Sequence, residues 1–163
     1  MKLHILFLSL AAALGLSLAS AQEPVVAAAD PEALFTDPDP VLHANKQVVL
    51  HVLRDLLQCN HWEKADQWLT ERYLQHNPNV ASGRDNVVAY FSSAPRVENC
   101  GKLTMPLVTV LTSGDIVGVV FKVEYDDPRR PGEKYSTIWY DQWRIVDGRV
   151  DEHWDTATLR LPQ

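Results

Sequence analysis

Cationic clusters, thiols and long apolar runs are all scarce in this chain, and each scarcity removes a class of protein. Acidic residues outnumber basic ones, 21 to 15, the net charge is −6, and no run of Lys or Arg exceeds Arg129-Arg130. Such a balance argues against nucleic acid or an anionic membrane as partner. The basic pair lies in DDPRRPGEK and reads as a solvated hairpin tip. The apolar run Leu3 to Leu18 is too short and too poorly flanked for a stable membrane anchor, and no Cys follows it to take a lipid. Cys59 and Cys100 are the only thiols. Neither sits in a motif that would lower its pKa, so a thiol nucleophile is disfavoured. Internal repeats are absent as well.

What is present begins with an export signal. Lys2, the apolar run and Ala19-Ser20-Ala21 have the charged start, hydrophobic centre and small-residue cleavage site of a signal peptide covering residues 1–21, cut near Ala21-Gln22. Secretion or a periplasmic location follows. In that oxidising setting the even cysteine count points to a Cys59–Cys100 disulfide, with two buried thiols as the alternative. The remaining roughly 140 residues suffice for one domain.

Residues 22–39, rich in Ala, Pro and Asp without apolar period, read as a mobile leader before a domain spanning 40–163. Asp39-Pro40 supplies a helix cap and first-turn proline, and Leu42, Val49, Val52, Leu53, Leu56 and Leu57 recur at helical spacing. A second helix fits Trp62 to Arg72. The segment Tyr73 to Val80, broken by Pro78, reads as an extended link, and Ser82 with Asp85 as a capping box opening a third helix. Past Pro95 the pattern alternates: Leu103 to Thr112, Ile116 to Tyr125, Tyr135 to Val146 and Arg149 to Thr158 read as four antiparallel strands. The fold class is α+β, a curved sheet wrapped around N-terminal helices and leaving a pocket between them.

The hairpin YDQWRIVDGRVDEHWD concentrates the chemistry. Asp147-Gly148 is its turn, and strict alternation outward from it pairs Trp143 with Glu152 and Asp141 with Trp154. One face then carries Trp139, Asp141, Trp143, Ile145, Val150 and Trp154; the other carries Tyr140, Gln142, Arg144, Asp151, His153 and Asp155. A carboxylate among tryptophans suits proton transfer, because desolvation raises its pKa. Alternatively Asp141 is structural, accepting an indole or backbone N–H, or is turned outward by a bulge. His153 with Asp155 would suggest a metal pair, but alternation leaves both on the polar face without a third ligand, so no metal is expected.

The segments YLQHNPNVASGRDNVVAYF, LTSGDIVGVVF and DQWRIVDGRVDEHWD, in this order and spacing, resemble the nuclear transport factor 2-like superfamily, and within it the SnoaL-like polyketide cyclases and aldol-condensation enzymes. The resemblance implies a cone-shaped α+β barrel, often a homodimer through its sheet, with a deep apolar pocket and no cofactor. It also implies that an aspartate on a late strand, Asp141 here, is the general acid/base of an aldol ring closure. One departure stands out. Where such cyclases carry an inward His after Gly-Asp, this chain has Val119 and Val120, so either the chemistry differs or His76 serves instead.

His76 is thus either a catalytic pocket group or a loop histidine, and Tyr73 either core or an orienting hydroxyl. Trp139, Trp143, Trp154 and Tyr90, with Val120, are core or the wall of a cavity for a small hydrophobic or cyclic carbonyl ligand. Two functions remain open: a cofactor-free cyclase, isomerase or dehydratase, and a secreted binding module without catalysis.

Overall fold

The structure is a computed structural model that describes residues 23–161. The expected signal peptide lies outside the described residues. Among those described, no helix is long and apolar enough to cross a membrane.

The first helix forms where its cap predicts. Asp39 Oδ1 accepts the N–H groups of Val41 and Leu42 at 2.8 and 3.1 Å, with Pro40 in the first turn. Helix α1 (Pro40–His51) buries Val48, Val49 and Leu50, then widens into a π-helical stretch, Val52–Gln58, that buries Val52, Leu53 and Leu56. Its last turn closes with Cys59 N–H donating to the Arg54 carbonyl. Cys59 and Cys100 are joined by the expected disulfide, with Cα atoms 5.7 Å apart.

The second helix is far shorter than its apolar stripe suggested. A single 3₁₀ turn (Trp62–Lys64) and α2 (Ala65–Trp68) are all that form before the chain extends as β1 (Leu69–Gln75). Leu69–Arg72, expected to be helical, are strand because a sheet edge offers them backbone partners; tertiary pairing outweighs a weak local preference. Helix α3 (Arg84–Phe91) follows Gly83, whose φ of 99° reverses the chain. The expected Ser82–Asp85 capping box does not form, because Ser82 Oγ accepts the Gln75 N–H at 3.0 Å.

The remaining strands are β2 (Leu107–Ser113), β3 (Ile116–Asp126), β4 (Lys134–Val146) and β5 (Arg149–Asp155). The sheet therefore has five strands where the sequence suggested four. Its order is β1-β5-β4-β3-β2, with β1 parallel to β5 and all other pairs antiparallel. It is curved and open, with β1 and β2 as its edges, and forms the expected cone-like sheet around the helices. Phe35, Val49, Leu53, Leu56, Leu69, Leu107, Val117, Val119, Trp143 and Val150 form the core between sheet and helices.

Residues 23–39 pack against this core, unlike the mobile leader their composition suggested. Phe35 is fully buried, Glu32 Oε1 accepts the Leu103 N–H, and Ala28 N–H donates to the Leu107 carbonyl at 2.7 Å. Lys46 Nζ reaches the Thr36 carbonyl and Asp37, both at 3.0 Å. One aromatic anchor and a few backbone bonds suffice without any helical period.

A bulge decides which side chains β5 offers to the core. Asp147 and Gly148 take φ of 48° and 72°, as a primed turn requires, and Ile145 pairs with Val150 as expected. Beyond that the register slips by one residue, pairing Arg144 with Glu152, Trp143 with His153, Gln142 with Trp154 and Asp141 with Asp155. Asp151 is the extra residue. Its carboxylate accepts from Thr70 Oγ1 at 2.8 Å and from the Arg72 guanidinium, both on β1. Every side chain past the bulge thereby changes face.

Candidate functional site

The cavity lies between the concave face of the sheet and the π-helical stretch with α3, with a volume of about 340 Å³. Its apolar end is formed by Val52, Leu56, Leu57, Trp62, Val87 and Phe91. The half-exposed Tyr90 stands at the rim. Its polar end gathers Gln75, Asn77, Asn79, Asp141, His153 and Asp155, with Tyr73, Trp139 and Trp143 between the two. A second, shallower apolar recess along Met105, Phe121 and Val123 also reaches Trp139 and Asp141.

Asp141 and His153 meet at the polar end. Asp141 Oδ1 accepts the Trp139 indole N–H at 2.6 Å and lies 3.6 Å from His153 Nε2, with the two side chains 15% and 9% exposed. Asp155 stands beside them. One ligand atom from each of Asp141, His153 and Asp155 lies within 4.8 Å of the others.

The orientation of each group is fixed from the backbone upward. The Asn77 N–H, which can only donate, is bonded to Gln75 Oε1 at 2.9 Å, and the same oxygen lies 2.7 Å from His153 Nδ1. An oxygen already accepting a backbone proton must accept from the imidazole too, so Nδ1 carries a hydrogen and Nε2 faces Asp141. Likewise Asn77 Oδ1 accepts the Asn79 N–H, which leaves Asn77 Nδ2 to donate to Asp155 Oδ2 at 2.6 Å. Asp155 Oδ1 takes the Ala157 N–H at 2.9 Å. Tyr73 is buried in this setting. Desolvation holds its hydroxyl well above the ordinary phenol range, with Asp141 and Asp155 pushing the same way, so it remains a proton donor.

The family model of the SnoaL-like domain matches residues 49–153. The chain belongs to the SnoaL-like family. A protein assigned as a SnoaL-like polyketide cyclase from Jannaschia sp. CCS1 has the same fold at 17% identity and a TM-score of 0.50, over 74% of this chain and 91% of that one. Other similar structures are a protein assigned as a ketosteroid isomerase from Kribbella flavida (16%, 0.49, 74% and 83%) and an M. tuberculosis epoxide hydrolase of the LEH-like kind (13%, 0.48, 69% and 80%). No curated protein matches the sequence.

Within this SnoaL-like pocket stand five of the eight residues expected at a site: Asp141, Tyr73, Trp139, Trp143 and Tyr90. Three do not. His76 points away, its side chain 47% exposed, bonded to Glu152 at 2.9 Å and stacked on Trp154. Trp154 is on the outer face, with the Arg144 guanidinium 5.6 Å from its ring. Val120 pairs with Tyr140 on that same outer face, so Val119, opposite Asp141, is the inward residue of β3. Arg144, which strict alternation outward from the turn would set opposite Asp151, bonds Glu152 and Asp115 instead.

The site gains what alternation had turned away. The bulge at Asp151 brings His153 and Asp155 inward and sends Trp154 out, so the reading that separated this pair from any third ligand falls with the alternation it rested on. An imidazole does stand beside Asp141 in this family member, but it comes from β5 and not from β3. Gln75, Asn77 and Asn79 were also missed. They lie at the end of β1 and in the extended Tyr73 to Val80 link, whose side chains an extended chain leaves free to face a cavity.

Proposed function

We propose that this SnoaL-like chain is an exported small-molecule enzyme that moves a proton on a largely apolar carbonyl compound, in the manner of a cyclase, isomerase or dehydratase. The observation that carries the reading is the Asp141–His153 pair at 3.6 Å, set at the polar end of an otherwise aromatic cavity. Asp141 would take the acidic α-hydrogen, Tyr73 would donate to the carbonyl oxygen where negative charge develops, and His153 Nε2 would exchange the proton with Asp141. The apolar end would hold the substrate's carbon skeleton. A cavity of this volume suits a compact molecule of one or two rings.

Asp141→Asn retains shape and the acceptor for Trp139 but removes the base. In a screen of β-dicarbonyl and cyclisable keto compounds, turnover by the wild type should exceed the variant's by roughly a hundredfold or more, with ligand affinity nearly unchanged. If no compound is turned over above the Asp141→Asn background, the pocket is a binding module and the enzyme reading is wrong. A homodimer through the outer sheet face, where Leu111 and Ile138 are exposed, belongs to the same proposal and is read by sedimentation equilibrium.

A further inference from the structure

We propose that Asp141, His153 and Asp155 form a binding site for one divalent transition-metal cation of the zinc class, open toward the cavity. The proposal goes beyond the proton-transfer reading and does not depend on it, since a cation can bind whether or not the pocket turns a substrate over.

Three observations lead here. The donor atoms lie within 4.8 Å of one another, and the closest pair, Asp141 Oδ1 and His153 Nε2, is 3.6 Å apart. Bonds of about 2.1 Å to a tetrahedral ion place its ligands roughly 3.4 Å apart, so this pair is already near its bound separation. Second, His153 is nine-tenths buried, and its Nε2 makes no hydrogen bond among the described residues while facing Asp141. With Nδ1–H committed to Gln75, a neutral imidazole aims a lone pair at a carboxylate. Acceptors that face one another across so short a gap need a proton or a cation between them.

The third is the shell behind the donors. Gln75 orients His153, Trp139 orients Asp141, and Asn77 with the Ala157 N–H orients Asp155. Each of these partners donates to a carboxylate or accepts the distal imidazole N–H, the arrangement that fixes ligands around a metal. One imidazole nitrogen and two carboxylates suit Zn²⁺ or Mn²⁺ better than Mg²⁺ or Ca²⁺, which prefer oxygen alone, and two carboxylates balance a dication. Three protein ligands leave a coordination position for water or for a carbonyl oxygen of the pocket's ligand.

Isothermal titration of the chelator-stripped protein with Zn²⁺, using Mg²⁺ as the control ion, tests this without any substrate. One zinc per chain is expected, with His153→Gln abolishing binding and Asp141→Asn, which keeps the Trp139 bond, or Asp155→Asn, which keeps one of its two bonds, weakening it at least tenfold. Gln75→Leu should weaken it by about tenfold to a hundredfold, because the imidazole loses its orientation. In imidazole ¹⁵N spectra, zinc should shift His153 Nε2 and leave Nδ1 protonated. Absence of zinc binding, or binding untouched in Asp155→Asn and in the His153 resonances, overturns the site. Turnover that persists in EDTA without zinc binding would do the same and leave proton transfer standing. Zinc binding with no turnover would have the opposite meaning.

Discussion

At the scale of the residue, burial separates side chains that work on a ligand from those that merely sit near the hairpin. Trp154 is instructive. Alternation placed it in the pocket, yet it stacks between His76 and Arg144 on the outer face, so Trp154→Ala should leave pocket affinity within about twofold. Fluorescence titration with any pocket ligand checks this; a tenfold loss would restore the original placement. Tyr73 lies at the other extreme. Its folded pKa is raised by burial, so the stability tied to its proton is present below the unfolded phenol value of about 10 and is lost as pH rises beyond it. Ultraviolet titration should show one tyrosine ionising only as the protein unfolds, a step absent in Tyr73→Phe. The same variant should keep the core's volume, melt close to the wild type, and lose about tenfold to a hundredfold in turnover if the hydroxyl polarises the substrate.

At the scale of the element, the legible parts were those governed by local chemistry. The Asp39-Pro40 cap, the Asp147-Gly148 turn and the alternation of Val117, Val119 and Phe121 each act within a few residues, and each appears where expected. What was not legible depends on partners distant in the chain. Leu69–Arg72 become a strand only because β5 lies alongside, and Asp151 bulges only where Thr70 and Arg72 hold its carboxylate. The single residue Asp151 therefore decides whether His153 or Trp154 enters the pocket. The Arg72 hydrogen bond holds its carboxyl below the usual range, against the opposing effect of burial. A depressed pKa contributes stability above the unfolded value of about 4 and loses it as pH falls through the folded one. Arg72→Ala should accordingly lower the urea midpoint at pH 7, though only modestly, because the guanidinium is largely exposed and screened. That difference should shrink and then vanish as pH falls through the folded pKa of Asp151. A gap that persists there would mean that Arg72 acts through packing and not through the Asp151 charge.

At the scale of the whole molecule, the disulfide ties the helical wall of the cavity to the loop before β2. Cys59 follows directly on the π-helical stretch whose Leu56 and Leu57 line the pocket, and Cys100 lies 41 residues on. A closed loop of that length contributes about 4 kcal/mol in the chain-entropy model, which at about 3 °C per kcal/mol predicts a fall of roughly 10 °C in Tm for the Cys59→Ser, Cys100→Ser variant. The wall itself has other ties. Val97 N–H donates to the Cys59 carbonyl at 3.0 Å, His61 Nε2 lies 3.0 Å from the Val97 carbonyl, and Asn60 Nδ2 bonds the Ala94 carbonyl. Gln58 adds a bond to the Lys102 carbonyl and accepts from Thr104 N–H. Because these contacts hold the loop in place in the folded state, whereas the disulfide acts mainly on the unfolded chain, stability and pocket should separate. Scanning calorimetry should record the lower Tm while zinc and ligand affinities at 25 °C stay within about threefold. An affinity loss that tracks the loss of Tm would show instead that the bridge sets the position of Leu56 and Leu57, making the pocket wall dependent on an oxidising compartment.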